Sequence, residues 1–92
     1  MPYITRQMLA DAALVPPVPF DTHDVIEELQ RANPQSYTRD LYRFVNHDDP
    51  FTSLHAEIGR RLLTVPFLRK IRKVRGRNVR GCTSYSQQWR RA

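Results

Sequence analysis

The side chains that say most about chemistry in this chain are cations. Eleven of its fifteen Lys and Arg residues fall between Arg60 and Arg91, a stretch without a single Asp or Glu. They are Arg60, Arg61, Arg69, Lys70, Arg72, Lys73, Arg75, Arg77, Arg80, Arg90 and Arg91. All nine acids lie in residues 1–59 beside only four arginines, so the formal charge of +6 joins a net-acidic first part to a strongly cationic second one. Segregation this sharp builds a surface for a polyanion, and phosphate backbone is the commonest polyanion. An acidic protein partner would meet the same surface, and Arg-rich tails also serve simply to keep a chain soluble.

Other chemistry has little to stand on. His23, His47, His55 and Cys82 are the soft or borderline metal ligands, and none sits in a paired spacing such as CxxC or HxxxH, so no metal site is expected. His47-Asp48-Asp49 reads as a capped polar loop. Cys82, in Gly81-Cys82-Thr83, reads as a small loop residue rather than a nucleophile. The chain has no Walker A motif, no GxGxxG and no paired carboxylates in a catalytic frame, so neither an enzyme nor a bound cofactor is expected. Tyr37, Tyr42 and Phe44 are expected in the core. Tyr85 and Trp89 lie in the basic half, where stacking on unpaired bases would be useful, but the strand pattern favours burial for them too.

Ninety-two residues with 40% hydrophobic side chains and nine aromatics make one small globular domain with a modest core. Met-Pro-Tyr-Ile at the start lacks the basic and apolar regions of a signal peptide. No stretch approaches the roughly 20 apolar residues of a membrane span. One cysteine rules out an internal disulfide and fits a reducing compartment. The expectation is a soluble cytoplasmic or nucleoid-associated protein.

Which elements position the cations follows from punctuation and period. Residues 1–20 read as an N-terminal extension. In it, Thr5 caps a short helix through Met8, Leu9, Ala12 and Ala13, and the strap Val15-Pro-Pro-Val-Pro-Phe20 cannot continue it. The strap would lay Val15, Val18 and Phe20 on the core, and its PxxP pattern is also the composition of a polyproline ligand. Residues 21–92 read as the domain. Asp21 or Thr22 caps a helix from His23 to Ala32 whose Val25, Ile26 and Leu29 share a face. Asn33-Pro34 caps and starts a third helix, to about Val45, that would bury Tyr37, Leu41, Phe44 and Val45. Asp49-Pro50 repeats the signal for a fourth helix, 50–63, with Phe51, Leu54, Ile58 and Leu62 on one stripe. Thr52, Ser53, His55, Ala56, Arg60 and Arg61 fall on the opposite face, where short polar and cationic groups suit a groove or phosphates. Gly59, costly inside a helix, suggests a close packing approach. A strand from about Leu68 to Val74, a Gly- and Asn-containing turn over 75–81 and a return strand through Tyr85, Gln87 and Trp89 complete a hairpin.

Three compact helices followed by a hairpin with a basic tip resemble a winged helix-turn-helix domain over residues 22–92. The fold class expected is therefore mainly α with a small C-terminal β-hairpin (α+β), a three-helix core plus wing with an N-terminal helical extension. The resemblance implies that helices 34–45 and 50–63 form the helix-turn-helix pair and that the second is the recognition helix, entering the major groove of duplex DNA. Thr52, Ser53, His55, Ala56, Arg60 and Arg61 would then read bases or phosphates. Arg75, Arg77, Asn78 and Arg80 would form the wing tip, with Arg69, Lys70, Arg72, Lys73, Arg90 and Arg91 contacting backbone. Such a protein would be a small regulator or an accessory factor of a phage or mobile element. The other class is a protein-interaction module, for instance a phage-type inhibitor that docks its basic face on an acidic protein or nucleoprotein complex. Glu27-Glu28 and Asp48-Asp49 form a solvated acidic face or dock the basic tail of a second copy as a homodimer.

Overall fold

The computed structural model describes residues 2–77 and 83–91. Seven elements run α1 (Arg6–Ala12), β1 (Phe20–Asp21), α2 (Thr22–Ala32), α3 (Pro34–Tyr42), α4 (Pro50–Leu62), β2 (Leu68–Arg77) and β3 (Thr83–Arg91). The chain is a small α+β domain, four helices with a three-stranded antiparallel sheet of order β1-β3-β2 among the described residues.

Each helix starts where its capping chemistry dictates. Thr5 accepts the Met8 amide, and the Met8 thioether takes the place of the usual carboxylate in returning to the Thr5 amide. Asp21 and Asp24 form a reciprocal capping box at the start of α2. Asp49 accepts the Thr52 amide ahead of Pro50. Asn33 stands at the start of α3 without a side-chain cap bond, so Pro34 alone marks that start.

One core joins all of these elements. Val25, Ile26 and Leu29 of α2 are fully buried, and α2 packs on α1, α3, α4 and β3. The stripe Leu54, Ile58 and Leu62 of α4 is buried as its spacing predicts. Ile4, Leu9, Ala12 and Ala13 enter the same cluster, so residues 3–20 pack on the domain. Phe20 is buried, and Phe20–Asp21 adds a third strand to the expected hairpin, pairing with Trp89 and Gln88.

Several apolar residues leave the core that periodicity assigned them. Tyr37 is buried, Leu41 and Phe44 are half-buried, but Tyr42 is 74% and Val45 53% exposed. The cause is that α3 stops at Tyr42. Tight turns then carry the chain, with the Val45 amide on the Tyr42 carbonyl and the His47 amide on that of Phe44, and the helical face is lost. In the strap, Phe20 reaches the core while Val15 and Val18 stay exposed, because the half-buried Arg91 side chain holds this segment by its backbone. A Cβ on Gly59 would meet only the Thr22 methyl at 3.8 Å, an ordinary contact, so no close approach requires that glycine.

Candidate nucleic-acid interface

The sheet register explains how cations reach α4. Lys70 lies across from Trp89 and Lys73 across from Gln87, with a bulge between them on β2. Cross-strand partners share a face, and Gln87 and Trp89 are two residues apart on β3. The bulge therefore places Lys70 and Lys73 on one face despite their three-residue separation, which strict alternation would forbid. That face looks toward α4 across an open groove of about 640 Å³.

Three elements build the groove. From α4 come Phe51, Thr52, His55, Ala56, Gly59, Arg60 and Leu63 just past its end; from α2, Thr22, His23 and Ile26; from the sheet, Lys70, Lys73, Ser86, Gln87 and Trp89. Three cations and no carboxylate stand among these residues, so the groove is positive as well as partly apolar. Its α4 wall is held in place from behind. The Tyr37 hydroxyl and His55 Nε2 are hydrogen-bonded at 2.7 Å, and the His55 ring lies 6.1 Å from that of Phe51, edge-on. Burial raises the Tyr37 phenol above its ordinary pKa, against a smaller downward pull from Gln30.

The expected reading face of α4 is thus divided. Thr52, His55, Ala56 and Arg60 line the groove, whereas Ser53 and Arg61 do not. Ser53 Oγ instead bonds His47 Nδ1 at 3.0 Å, tying the 46–49 loop to the helix. Thr52 Oγ1 donates to Asp49 at 2.8 Å as part of the cap.

Trp89 is core. Its ring is 1% exposed and its Nε1 donates to Thr22 Oγ1 at 3.0 Å. Arg91 is turned inward as well. Its guanidinium donates to the carbonyls of Ala13 (2.7 Å) and Pro16 (2.9 Å) and lies over the Phe20 ring, fastening the strap to β3. Arg69 donates locally to the Pro66 and Leu68 carbonyls. Lys70, Arg72, Lys73, Arg75 and Arg90 are exposed along the hairpin. Asn78, Arg80 and Cys82 lie outside the described residues, as does the side chain of Arg77.

Ion pairing follows the charge segregation. Arg31 pairs with Glu28, and Arg43 with both Asp40 and Glu57, all within the net-acidic part. Among the described residues none of Arg60, Arg61, Arg69, Lys70, Arg72, Lys73, Arg75 and Arg90 has a carboxylate partner. Arg69 and Arg90 stand directly opposite each other across the β2–β3 ladder. Sequence reasoning missed Asp40, whose buried carboxylate organises the back of the domain. It accepts the amides of Tyr3 and Ile4, each at 2.7 Å, and Arg43 Nε at 3.0 Å. Its one sequence signal is Arg43 three residues on, a spacing that also fits an ordinary surface pair.

No family model matches this chain, and comparison with curated proteins and with solved structures likewise finds no match. Among the described residues no helix is long and apolar enough to cross a membrane, and no group of three or more His, Cys, Asp or Glu could hold a metal ion.

Proposed function

We propose that this chain binds nucleic acid, with its phosphates held on the surface that α4 and the hairpin share. The observation that carries this reading is the set of eight described cations between Arg60 and Arg90 without carboxylate partners, while the ion pairs of the described residues join only Arg31 and Arg43 to acids of the net-acidic part. Arg69 opposite Arg90, next to Lys70 and Trp89 and so on the other face of the hairpin, extends the cationic surface there. Like charges directly across a ladder destabilise a sheet, and a phosphate between them turns that repulsion into binding. In this reading the domain works as a winged helix does, α4 standing beside the backbone and β2–β3 acting as the wing.

Most of the affinity then comes from counterion release and falls steeply with salt. The test is fluorescence anisotropy with random-sequence duplex and single-stranded oligonucleotides, from low to physiological salt. Micromolar binding with a steep salt slope is the expected result. Absence of binding to either strand form at low salt overturns the proposal and leaves an acidic protein as the partner for the basic face.

A further inference from the structure

We propose that the groove between α4 and the sheet is a nucleotide pocket, which takes one unstacked nucleotide of a single strand, DNA or RNA. The inference rests on the nucleic-acid reading above and specifies what that surface holds.

Size and lining point the same way. About 640 Å³ is within the range of pockets that enclose small organic ligands. Arg60, Lys70 and Lys73 bring three positive charges to it from two elements, with no carboxylate among its described lining residues. The ligand is therefore an anion. It is not a bare one, because Phe51, Ala56 and Leu63 give the groove an apolar side, and Leu63 is 55% exposed there beside Arg60. An anionic group joined to a flat apolar body fits this division: phosphate toward the cations, base against Phe51 and the positioned His55 ring.

Two features of the wall are otherwise unexplained. Gly59 weakens α4, yet a Cβ would fit there, so the glycine serves no packing within the domain. Its effect is to leave the middle of the α4 wall open. Ser86, also on the groove, has a buried Oγ without a hydrogen-bond partner among the described residues. Such a hydroxyl is costly unless something meets it, and a base edge or phosphate oxygen in the groove would do so. A polymer rather than a free small anion is indicated by continuity. Beyond Lys73 the exposed Arg75, two residues on and so on the same face, continues the charge along β2 and offers a contact to a neighbouring phosphate.

Trp89, the sole tryptophan, lines the groove and reports on it. The full chain is titrated with thymidine monophosphate, with inorganic phosphate at matched ionic strength and with a short oligothymidylate, following Trp89 fluorescence. A saturable response to the nucleotide, stronger for the oligonucleotide and absent with phosphate, is expected. Ala56→Leu fills the groove at an exposed helical position without altering charge. It should weaken nucleotide and oligothymidylate binding at least about tenfold, or roughly 1.4 kcal/mol. Lys73→Ala, a second variant, should weaken the nucleotide response by a smaller factor. Equal responses to phosphate and nucleotide, or no effect of Ala56→Leu in a folded protein, overturn the pocket. A silent Trp89 with intact anisotropy also overturns it while the nucleic-acid reading stands; loss of both signals removes both.

Discussion

The Trp89 indole donates its N–H to Thr22 Oγ1 at 3.0 Å, joining the middle strand of the sheet to the first turn of α2 across 67 residues. Thr22 Oγ1 also lies 3.4 Å from the Gln87 carbonyl, so one hydroxyl serves both a donor and an acceptor of β3. Thr22→Val keeps the shape and strands the buried indole N–H, which should cost about 1–3 kcal/mol. Trp89→Phe in the Thr22→Val background should then cost less than it does alone, because the unmet donor is gone. Denaturant unfolding of the four proteins, followed by far-UV circular dichroism, measures this coupling.

Asp40 predicts a larger loss. Its carboxylate is fully buried and meets two backbone amides and Arg43, so Asp40→Ala leaves three donors without their acceptor. Removing one partner of a buried charge network costs about 3–5 kcal/mol. Asp40→Asn retains one acceptor oxygen and should recover part of that. The amides of Tyr3 and Ile4 should lose hydrogen-exchange protection in both variants, and unchanged protection would refute this role.

The legible parts of the fold were those with local causes. Thr5, Asp21, Asp49-Pro50 and the stripe Leu54, Ile58, Leu62 declare their elements through capping and period, and the structure has them where that chemistry puts them. The hairpin was legible for the same reason, but β2 runs to Arg77, so Arg75 and Arg77 pair with Tyr85 and Thr83 in the ladder and do not stand in the turn expected over 75–81. Long-range relationships were not. Nothing local to Phe20–Asp21 marks a third strand, because its partner is Trp89, and an Asp at position 40 looks solvated until the N-terminal amides arrive. The groove was half visible: the polar face of α4 could be read, but a bulge that turns Lys73 to the side of Lys70 leaves no mark in a run of alternating cations.

Gly59→Ala should stabilise the protein by up to about 1 kcal/mol, since alanine is the better helix former and its methyl would sit 3.8 Å from the Thr22 methyl. Thermal unfolding checks this. A lower melting temperature would mean that the α2–α4 contact is tighter than its geometry indicates.

Tyr37 should ionise above the ordinary phenol value near 10, because burial raises its pKa. The sign for stability follows. The unfolded phenol gives up its proton first, so the contribution is whole below the unfolded pKa and is lost as pH rises through the folded one. Alkaline unfolding should therefore move to lower pH in the wild type than in Tyr37→Phe, which has nothing to ionise there. Difference absorbance across the alkaline range follows the phenolates directly.

Arg69 and Arg90 give the test that best separates a binding surface from a merely solubilising one. They face each other across β2 and β3 with no carboxylate partner among the described residues. Arg69→Glu replaces that repulsion with an opposite-charge pair and should stabilise the hairpin by about 0.2–1 kcal/mol. The same change removes one cation and occupies another, so up to two phosphate contacts go. Each contact contributes about 0.9 to the slope of log affinity against log salt for duplex DNA, and the slope should shrink accordingly. Stability and affinity thus move in opposite directions from one substitution. A surface kept cationic only for solubility would show the gain in stability with the salt slope unchanged.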